Sequence, residues 1–158
     1  MTESNAIIRP ARHTIGRSGD PILREVYVFA EKAHLATHET VTVSLLDPLG
    51  VLGPDRVRQC DEAFVAEVDG VLVGAVTLAF KGVFGRNKAT LDGLYVLPEY
   101  RGRGIRCRLM AHAVRRFVEV GRIPVLCNVE SEEMVATSES FRRKHPELSQ
   151  HVEFRYDL

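Results

Sequence analysis

The strongest structural signal in this chain is the segment Thr90-Leu-Asp-Gly-Leu-Tyr-Val-Leu-Pro-Glu-Tyr-Arg-Gly-Arg-Gly-Ile-Arg-Cys-Arg-Leu-Met110. Its apolar first half predicts a strand, and its second half predicts a glycine-rich turn that opens an amphipathic helix. The first N–H groups of a helix have no partner within it, and the helix dipole adds partial positive charge there. Three arginines add full charge and two glycines allow close approach of a ligand: Arg101, Arg103, Arg106, Gly102 and Gly104. The segment therefore predicts a phosphate or diphosphate site.

Patterning on both sides of this segment predicts alternating strands and helices. Strands are expected at residues 6–9, 62–68, 71–80, 89–97, 123–129 and 151–156, and Asp69-Gly70 marks a tight hairpin. A first helix is expected at residues 20–36, with Asp20 as its cap and Pro21 at the first helical position. Two more are expected, one ending near Gly121 and one capped by Ser131, whereas residues 37–60 predict a long loop. This order predicts an α/β (α+β) fold, with a mixed, mostly antiparallel sheet and helices on both faces.

The composition is that of one globular domain spanning residues 1–158. Lys+Arg and Asp+Glu each total 21, so the net charge of zero argues against nucleic acid or an anionic membrane as a partner. No apolar run is long enough to cross a bilayer, and the N-terminal residues predict no signal peptide. The three cysteines form no disulfide or metal pattern, so we expect a cytoplasmic location. His34 and His38 beside Glu39 lack a third ligand in the sequence, so we expect no metal site.

The stretch Tyr95-Val-Leu-Pro-Glu-Tyr-Arg-Gly-Arg-Gly-Ile105 resembles the acyl-CoA signature of the GNAT superfamily of acyl-CoA N-acyltransferases. That signature reads Arg/Gln-x-x-Gly-x-Gly/Ala after a strand ending in V-x-P, and the order of elements agrees as well. The resemblance implies a GNAT fold with a sheet that splays apart at the acyl-CoA site, and acetyl-CoA as the acyl donor. It implies that the backbone of Leu94 and Val96 pairs with pantetheine, and that the Leu94 amide polarises the thioester carbonyl. The cofactor-binding residues that it implies are Leu94, Tyr95, Val96, Arg101, Gly102, Arg103, Gly104, Ile105 and Arg106.

Arg106 departs from the signature, whose sixth position is Gly or Ala. A helical projection places it within about 60° of the apolar residues of the helix, in the middle of their face. Its guanidinium could turn back onto the diphosphate, which suits a planar fork of donors. Alternatively, its bulk could obstruct the site and leave a weak cofactor pocket. The intact remainder of the turn favours the first interpretation.

The resemblance also implies a base for the acceptor amine, commonly a carboxylate on the strand before the signature. Counting back from Val96, one common base position falls on Thr90, which cannot serve. Asp92 is expected one pleat further along on the same face, and a carboxylate there resembles some aminoglycoside 6′-N-acetyltransferases. Asp92 is therefore the best catalytic candidate, and a structural hydrogen-bond acceptor within the sheet is the alternative. Glu67 is a weaker candidate.

Many members of the superfamily protonate the leaving thiolate with a tyrosine on the last helix. Counting from Ser131 places that tyrosine at Ser138, whereas matching Phe141-Arg-Arg-Lys144 to the usual aromatic-Tyr-x-Lys places it at Arg142. Neither residue is a tyrosine. Water or another group, such as Ser138, His145 or Tyr156, is then expected to protonate the thiolate.

The resemblance implies an enzyme that moves an acetyl group from acetyl-CoA to a primary amine by direct attack in a ternary complex. The first helix and the 37–60 loop are expected to form a largely apolar acceptor wall. A small-molecule amine is the favoured acceptor because of Asp92, and a protein N-terminus or lysine is the alternative. Arg106 and the absent tyrosine motivate a different hypothesis, a non-catalytic domain that senses acyl-CoA or binds a partner. Relatives in the superfamily are often dimers, so a homodimer is the oligomer that the resemblance suggests.

Overall fold

The fold is built around one mixed sheet. A computed structural model describes residues 5–12, 14–15, 21–22, 24–39, 62–80, 87–127 and 132–155, without the side chains of residues 14, 15, 21, 22, 27, 92, 127 and 132–134. The strands are β1 (Ile7–Pro10), β2 (Thr14–Ile15), β3 (Pro21–Ile22), β4 (Glu62–Val68), β5 (Val71–Ala79), β6 (Lys88–Val96), β7 (Ile123–Cys127) and β8 (Glu153–Arg155). Six of them form the sheet in the order β1-β4-β5-β6-β7-β8, with antiparallel pairs up to β6 and parallel pairs beyond it. The predicted mixed, mostly antiparallel sheet is confirmed.

The helices are α1 (Arg24–Thr37), α2 (Ile105–Glu119), α3 (Glu132–Lys144) and the short α4 (Pro146–Ser149). The predicted start of the first helix was wrong, because Pro21 and Ile22 pair as a strand with Ile15 and Thr14. Residues held extended by that ladder cannot take helical dihedral angles, so the helix begins only at Arg24. The sequence pattern also missed α4. The proposed caps Asp20 and Ser131, and all of the 37–60 loop beyond Glu39, lie outside the described residues.

Helices cover both faces of the sheet, as predicted. On one face α2 packs against β5 and β6, and its predicted apolar residues are all buried: Ile105, Leu109, Met110, Ala113, Val114 and Phe117. On the other face α1 packs Val26, Phe29 and Ala30 against a layer that includes Val65 and Tyr95. Of the helices in the described part of the chain, none has the length and apolar character to cross a membrane.

Strand β6 separates from β7 after a short parallel ladder. Among the described residues, β6 pairs with β7 at Lys88, Ala89 and Thr90 and no further, while β7 pairs with β8 from Val125 to Cys127. On its other side β6 stays paired with β5, and the Leu97 N–H donates to the Val73 carbonyl at 2.8 Å. Because backbone groups alternate in direction along a strand, those of Leu94 and Val96 point away from β5. We call this side of residues 91–96 the open edge of β6.

A β-bulge interrupts β6 beside its open edge. Thr77 pairs with Gly93 and Leu78 pairs with Leu91, so Asp92 is the extra residue of the bulge. Ala89 and Leu91 contact the same core as Leu94 and Val96. In a regular strand, odd- and even-numbered residues would face opposite sides of the sheet. Because the bulge shifts the alternation, Val96 and Thr90 do not share a face of the sheet, whereas the expected orientation of Asp92 stays a prediction. The Asp92 side chain lies outside the described residues.

Thr77 gives a stability prediction. Thr77 is 1% exposed, and its hydroxyl has no hydrogen-bond partner within the described part of the chain. Because a buried hydroxyl without a partner is destabilising, Thr77→Val should raise the free energy of unfolding by about 1 kcal/mol, measured by urea denaturation. The contrasting variant is Thr37→Val, whose hydroxyl donates to the Ala33 carbonyl at 2.7 Å and accepts from the Glu39 N–H at 3.1 Å. That variant should lose stability, and a loss in Thr77→Val as well would contradict the prediction.

Candidate active site

The glycine-rich turn forms the N-terminus of α2, as predicted. A short turn at Pro98–Tyr100 leads into Arg101, and Gly102 and Gly104 follow with φ of 77° and 80°. Gly104 is the N-cap of α2, and no side chain caps the helix. The first helical hydrogen bond runs from the Arg108 N–H to the Gly104 carbonyl, so the amides of residues 105–107 precede it. These amides and the helix dipole favour an anion in front of the turn.

A cavity of about 380 Å³ opens in front of this turn. Its lining comes from the end of β6, the turn, the start of α2 and one face of α3: Val96, Tyr100, Arg101, Gly102, Gly104, Ile105, Arg106, Cys107, Ala136, Thr137, Ser140 and Lys144. Counting the described residues alone, a methyl group added to Gly102 would meet nothing within 4 Å, and one added to Gly104 would meet the Lys144 ammonium at 3.8 Å and no other group. The glycines therefore leave space beside the backbone that a ligand can fill.

Lys144 was given no role in the sequence analysis. It ends α3, and the packing of α3 on α2 brings its ammonium to the N-terminus of α2. The only sequence signal was its match to the lysine of the aromatic-Tyr-x-Lys pattern. Its placement depends on tertiary structure, since 40 residues separate it from Gly104 in sequence. With Arg106 it brings a second full positive charge to the cavity.

The three arginines of the turn have different surroundings. The Arg106 side chain is half-buried and lines the cavity, although the helical projection places Arg106 in the middle of the apolar face of α2. Arg103 is exposed and stacks on the Tyr100 ring, 5.1 Å from its centroid. The Arg101 side chain turns back, and its Nε donates to the Val96 carbonyl at 2.9 Å on the open edge of β6. The other nitrogens of Arg101 bind a carboxylate beyond the end of α1.

That carboxylate is Glu39, which the sequence analysis considered only beside the two histidines. The Arg101 guanidinium donates to both of its oxygens, at 2.9 and 3.3 Å, and the Tyr95 hydroxyl donates to Oε1 at 2.9 Å. Thr37 completes what we call the Glu39 cluster: Thr37, Glu39, Tyr95 and Arg101. Hydrogen bonds from Arg101 and then Tyr95 hold the pKa of Glu39 below its usual value. His34 bonds to the Glu39 carbonyl through Nδ1 at 2.8 Å, and no metal-binding group was found among the described residues.

Tyr95 points to the α1 side of the sheet. Its side chain is 4% exposed, and its ring lies 6.3 Å from that of Phe29. Burial is the main cause of a raised Tyr95 pKa, so the hydroxyl stays protonated and donates to Glu39. The Tyr95 side chain therefore lies on the α1 face of the sheet, and its backbone N–H and C=O point toward β5 rather than to the open edge.

The candidate acids on α3 lie away from the cavity. Ser138 is 1% exposed and is not among the lining residues, whereas its neighbour Thr137 is. Arg142 is the residue that the match to aromatic-Tyr-x-Lys places at the tyrosine position. Its guanidinium stacks on the Phe154 ring at 3.8 Å, away from the cavity. The His145 ring packs on Phe141, and its pKa is lowered by burial and by the charges of Arg115 and Lys144. Tyr156 lies outside the described residues.

Glu67, the weaker base candidate, is part of an ion-pair network. Arg9 donates to its Oε1 from Nε at 2.9 Å and from a terminal nitrogen at 2.6 Å. The same guanidinium forms a two-pronged pair with Glu25 of α1, at 2.7 and 2.8 Å. Through Arg9 of β1, Glu67 of β4 is linked to Glu25 of α1, and this structural role accounts for the position of Glu67.

Comparison with known proteins gives one family. The model of the acetyltransferase (GNAT) family matches residues 35–137, which is more than half of the chain. An uncharacterized N-acetyltransferase of Archaeoglobus fulgidus is 40% identical over 68 residues, which are 41% of this chain and 46% of that protein. The match therefore spans about half the length of this curated relative.

Solved structures share the fold at low sequence identity. An aminoglycoside acetyltransferase from an uncultured soil metagenomic sample, in complex with sisomicin, gives a TM-score of 0.59 at 16% identity, covering 97% of this chain and 96% of that one. A GNAT family acetyltransferase from Brucella melitensis, in complex with acetyl-CoA, gives a TM-score of 0.52 at 19% identity, covering 77% of this chain and 73% of that one. These two structures establish the fold, which is the one implied by the signature and the splayed sheet. The family match over residues 35–137 shows that this chain belongs to the GNAT acetyltransferase family.

Proposed function

We propose that this chain transfers the acetyl group of acetyl-CoA to the primary amine of a small molecule. The observation that carries the proposal is the cavity at the N-terminus of α2, which lies next to the open edge of β6. A diphosphate in the cavity would meet the amides of Gly104, Ile105 and Arg106 together with two cationic side chains. We assign Arg106 to diphosphate binding, because its side chain lines a cavity that remains open in front of the turn. The solved relative with acetyl-CoA supports this choice of donor at the level of the fold.

The open edge then positions the acyl group. The backbone groups of Leu94 and Val96 point away from β5 and can pair with the pantetheine amides as an added strand would. The thioester carbonyl would lie at the Leu94 N–H, which stabilises the negative charge that develops on its oxygen. The Val96 carbonyl already accepts a hydrogen bond from Arg101. It would therefore accept from a pantetheine amide only as a second, shared hydrogen bond.

The acceptor approaches from the α1 side in this proposal. A cavity of about 620 Å³ runs along α1 there, and much of its wall is apolar: Val28, Phe29, Ala33, Leu72 and Leu97. A lysine-like amine is protonated at pH 7, and freeing it costs roughly 4–5 kcal/mol for a gap of about 3.4 pK units. Asp92, at the bulge beside the open edge, is our candidate base. A positioned base of this kind contributes about 10²–10⁴ in rate.

Direct attack completes the reaction. The amine nitrogen forms a bond to the acyl carbon, the C–S bond breaks, and the thiolate of CoA takes up a proton. Ser138 remains the α3 candidate for that step, and it would need access to the cavity that its burial does not give it. Water reaching the cavity is the alternative donor. A CoA thiolate is a fair leaving group, so the step does not require a strong acid.

Two measurements test the proposal together. Calorimetric titration should show acetyl-CoA binding, and a thiol-release assay over a panel of amines should show CoA production. Asp92→Asn should bind acetyl-CoA normally and lower kcat about 10²–10⁴-fold, because it keeps the shape of the side chain and removes the base. Unchanged turnover in this variant would remove Asp92 from the mechanism. Absence of acetyl-CoA binding would contradict the proposed function.

A second candidate is a non-catalytic sensor of acyl-CoA. It is motivated by Arg106 in place of Gly or Ala and by the absence of tyrosine at both aligned positions of α3. Binding of acetyl-CoA without thiol release over the whole panel would favour this function. Transfer to protein N-termini or lysines is the alternative within the enzyme class, and peptide amines in the same panel would identify it.

A further inference from the structure

We propose that the Glu39 carboxylate contacts the acceptor and selects amines that carry a second ammonium group. This inference rests on the proposed function, because it concerns the acceptor of the same reaction. It adds a residue from beyond the end of α1, 53 positions before Asp92 in sequence. Its support is the position of Glu39, the way its backbone is held, and the accessibility of one of its oxygens.

Glu39 lies on the side of the sheet from which an acceptor would come. The cofactor cavity is lined by α2 and α3, whereas Glu39 is held by Tyr95, whose side chain belongs to the α1 core. Arg101 links the carboxylate to the Val96 carbonyl, which faces the open edge of β6. An amine that approaches the open edge from the α1 side would therefore pass close to Glu39.

The backbone of Glu39 is fixed by several contacts. Its N–H donates to the Thr37 hydroxyl at 3.1 Å, and its carbonyl is 2.8 Å from Nδ1 of His34. His38, directly before it, has a φ of 59°, a left-handed conformation that is uncommon for residues other than glycine. Such conformations persist where the surrounding contacts enforce them, and they concentrate at functional sites. A carboxylate held in this way loses little conformational freedom when a ligand binds.

One carboxylate oxygen retains capacity for a ligand. Oε1 accepts from both Tyr95 and Arg101 at 2.9 Å, whereas Oε2 accepts from Arg101 at 3.3 Å and, among the residues that the structure describes, from no other group. The Glu39 side chain is 41% exposed, and an ionised carboxylate offers about four acceptor positions. Arg101 compensates its charge, so an ammonium group would be recognised by a directed hydrogen bond rather than by a net field. We therefore expect the selection to persist at high ionic strength.

The test compares two amines on the protein saturated with CoA. Sisomicin has several amino groups and hexylamine has one, and calorimetry gives the affinity of each. Wild-type protein should prefer sisomicin. Glu39→Gln should weaken sisomicin binding about tenfold or more, since a charge-assisted hydrogen bond is lost, and should leave hexylamine and CoA within twofold. Glu31→Gln makes the same change of charge at an exposed position of α1 and should alter none of the three affinities.

Several results would overturn the inference. They are unchanged sisomicin binding in Glu39→Gln, an equal loss for both amines, a change in CoA affinity, and the absence of a sisomicin preference in wild-type protein. The last three would assign Glu39 a structural role or none. Failure of the proposed function itself would be seen separately, as wild-type protein that neither binds CoA nor releases thiol with any amine.

Discussion

Replacing Gly104 with alanine should weaken acetyl-CoA binding about 100-fold and lower stability by only about 1–2 kcal/mol. The stability cost comes from φ of 80°, where a Cβ atom crowds the following carbonyl. Within the protein the added methyl group would meet only the Lys144 ammonium, at 3.8 Å. The larger cost falls on the ligand, because the methyl group would occupy the space that a diphosphate needs to reach the amides of the first turn. Calorimetry gives the binding constant, and denaturation gives the stability.

Gly121 provides a matched control at the other end of the same helix. It has φ of 75°, and a Cβ atom there would meet nothing within 4 Å. Gly121→Ala should therefore lose similar stability and bind acetyl-CoA like the wild type. If both variants bound the cofactor equally well, the diphosphate would lie elsewhere, and the assignment of the turn would be wrong.

Replacing Glu25 with alanine should lower the free energy of unfolding by about 2–3 kcal/mol at pH 7. The variant loses two hydrogen bonds from Arg9, at 2.7 and 2.8 Å, and one from the Arg12 N–H at 3.1 Å. It also leaves Arg9 with Glu67 alone, in surroundings where these side chains are only about one-fifth exposed. Breaking a fully buried ion pair costs about 3–5 kcal/mol, and the partial exposure here reduces that figure. Urea denaturation measures the change.

The same pair predicts how this loss depends on pH. The hydrogen bond from Arg9 is the main reason that the pKa of Glu25 is lowered in the folded protein. A carboxylate with a lowered pKa contributes stability above its unfolded pKa, about 4.3, and that contribution disappears as the pH falls through the folded pKa. The difference between wild type and Glu25→Ala should therefore be complete at pH 7 and shrink below about pH 4.

Glu119 serves as the control for an exposed ion pair. It lies 3.2 Å from Arg116, three residues earlier on α2, and its side chain is 64% exposed. Glu119→Ala should change stability by no more than about 0.5 kcal/mol. A loss equal to that of Glu25→Ala would mean that the Arg9 network has no special role in joining α1 to the sheet.

Features that depend on neighbouring residues could be predicted from the sequence. The Asp69-Gly70 hairpin is present, with positive φ at both residues, because few residues accept the conformation that a two-residue turn requires. The strand, turn and helix around Gly102 and Gly104 follow from local geometry in the same way. The apolar face of α2 was predictable since its spacing has the period of a helix.

Features that depend on distant partners were missed or misplaced. The chain at Pro21 carries a helix-opening pattern, yet its pairing with Ile15 makes it a strand. Counting alternate residues back from Val96 to Thr90 did not stay on one face of the sheet. The bulge arises in the pairing of β6 with β5, and the sequence of β6 carries no signal for it. Counting along α3 placed Ser138 at the tyrosine position of the family pattern. The count could not show that Ser138 is buried and does not line the cavity.

The local sequence thus determined the glycine-rich turn and the order of the main strands and helices, because backbone propensity and hydrophobic period act over a few residues. Tertiary structure alone decided which charged side chains meet at the site. Glu39 and Arg101 are 62 residues apart, and Lys144 and Gly104 are 40 apart. These side chains meet because α1 packs on the sheet and α3 packs on α2, and such packing depends on the fit of whole surfaces rather than on any short segment.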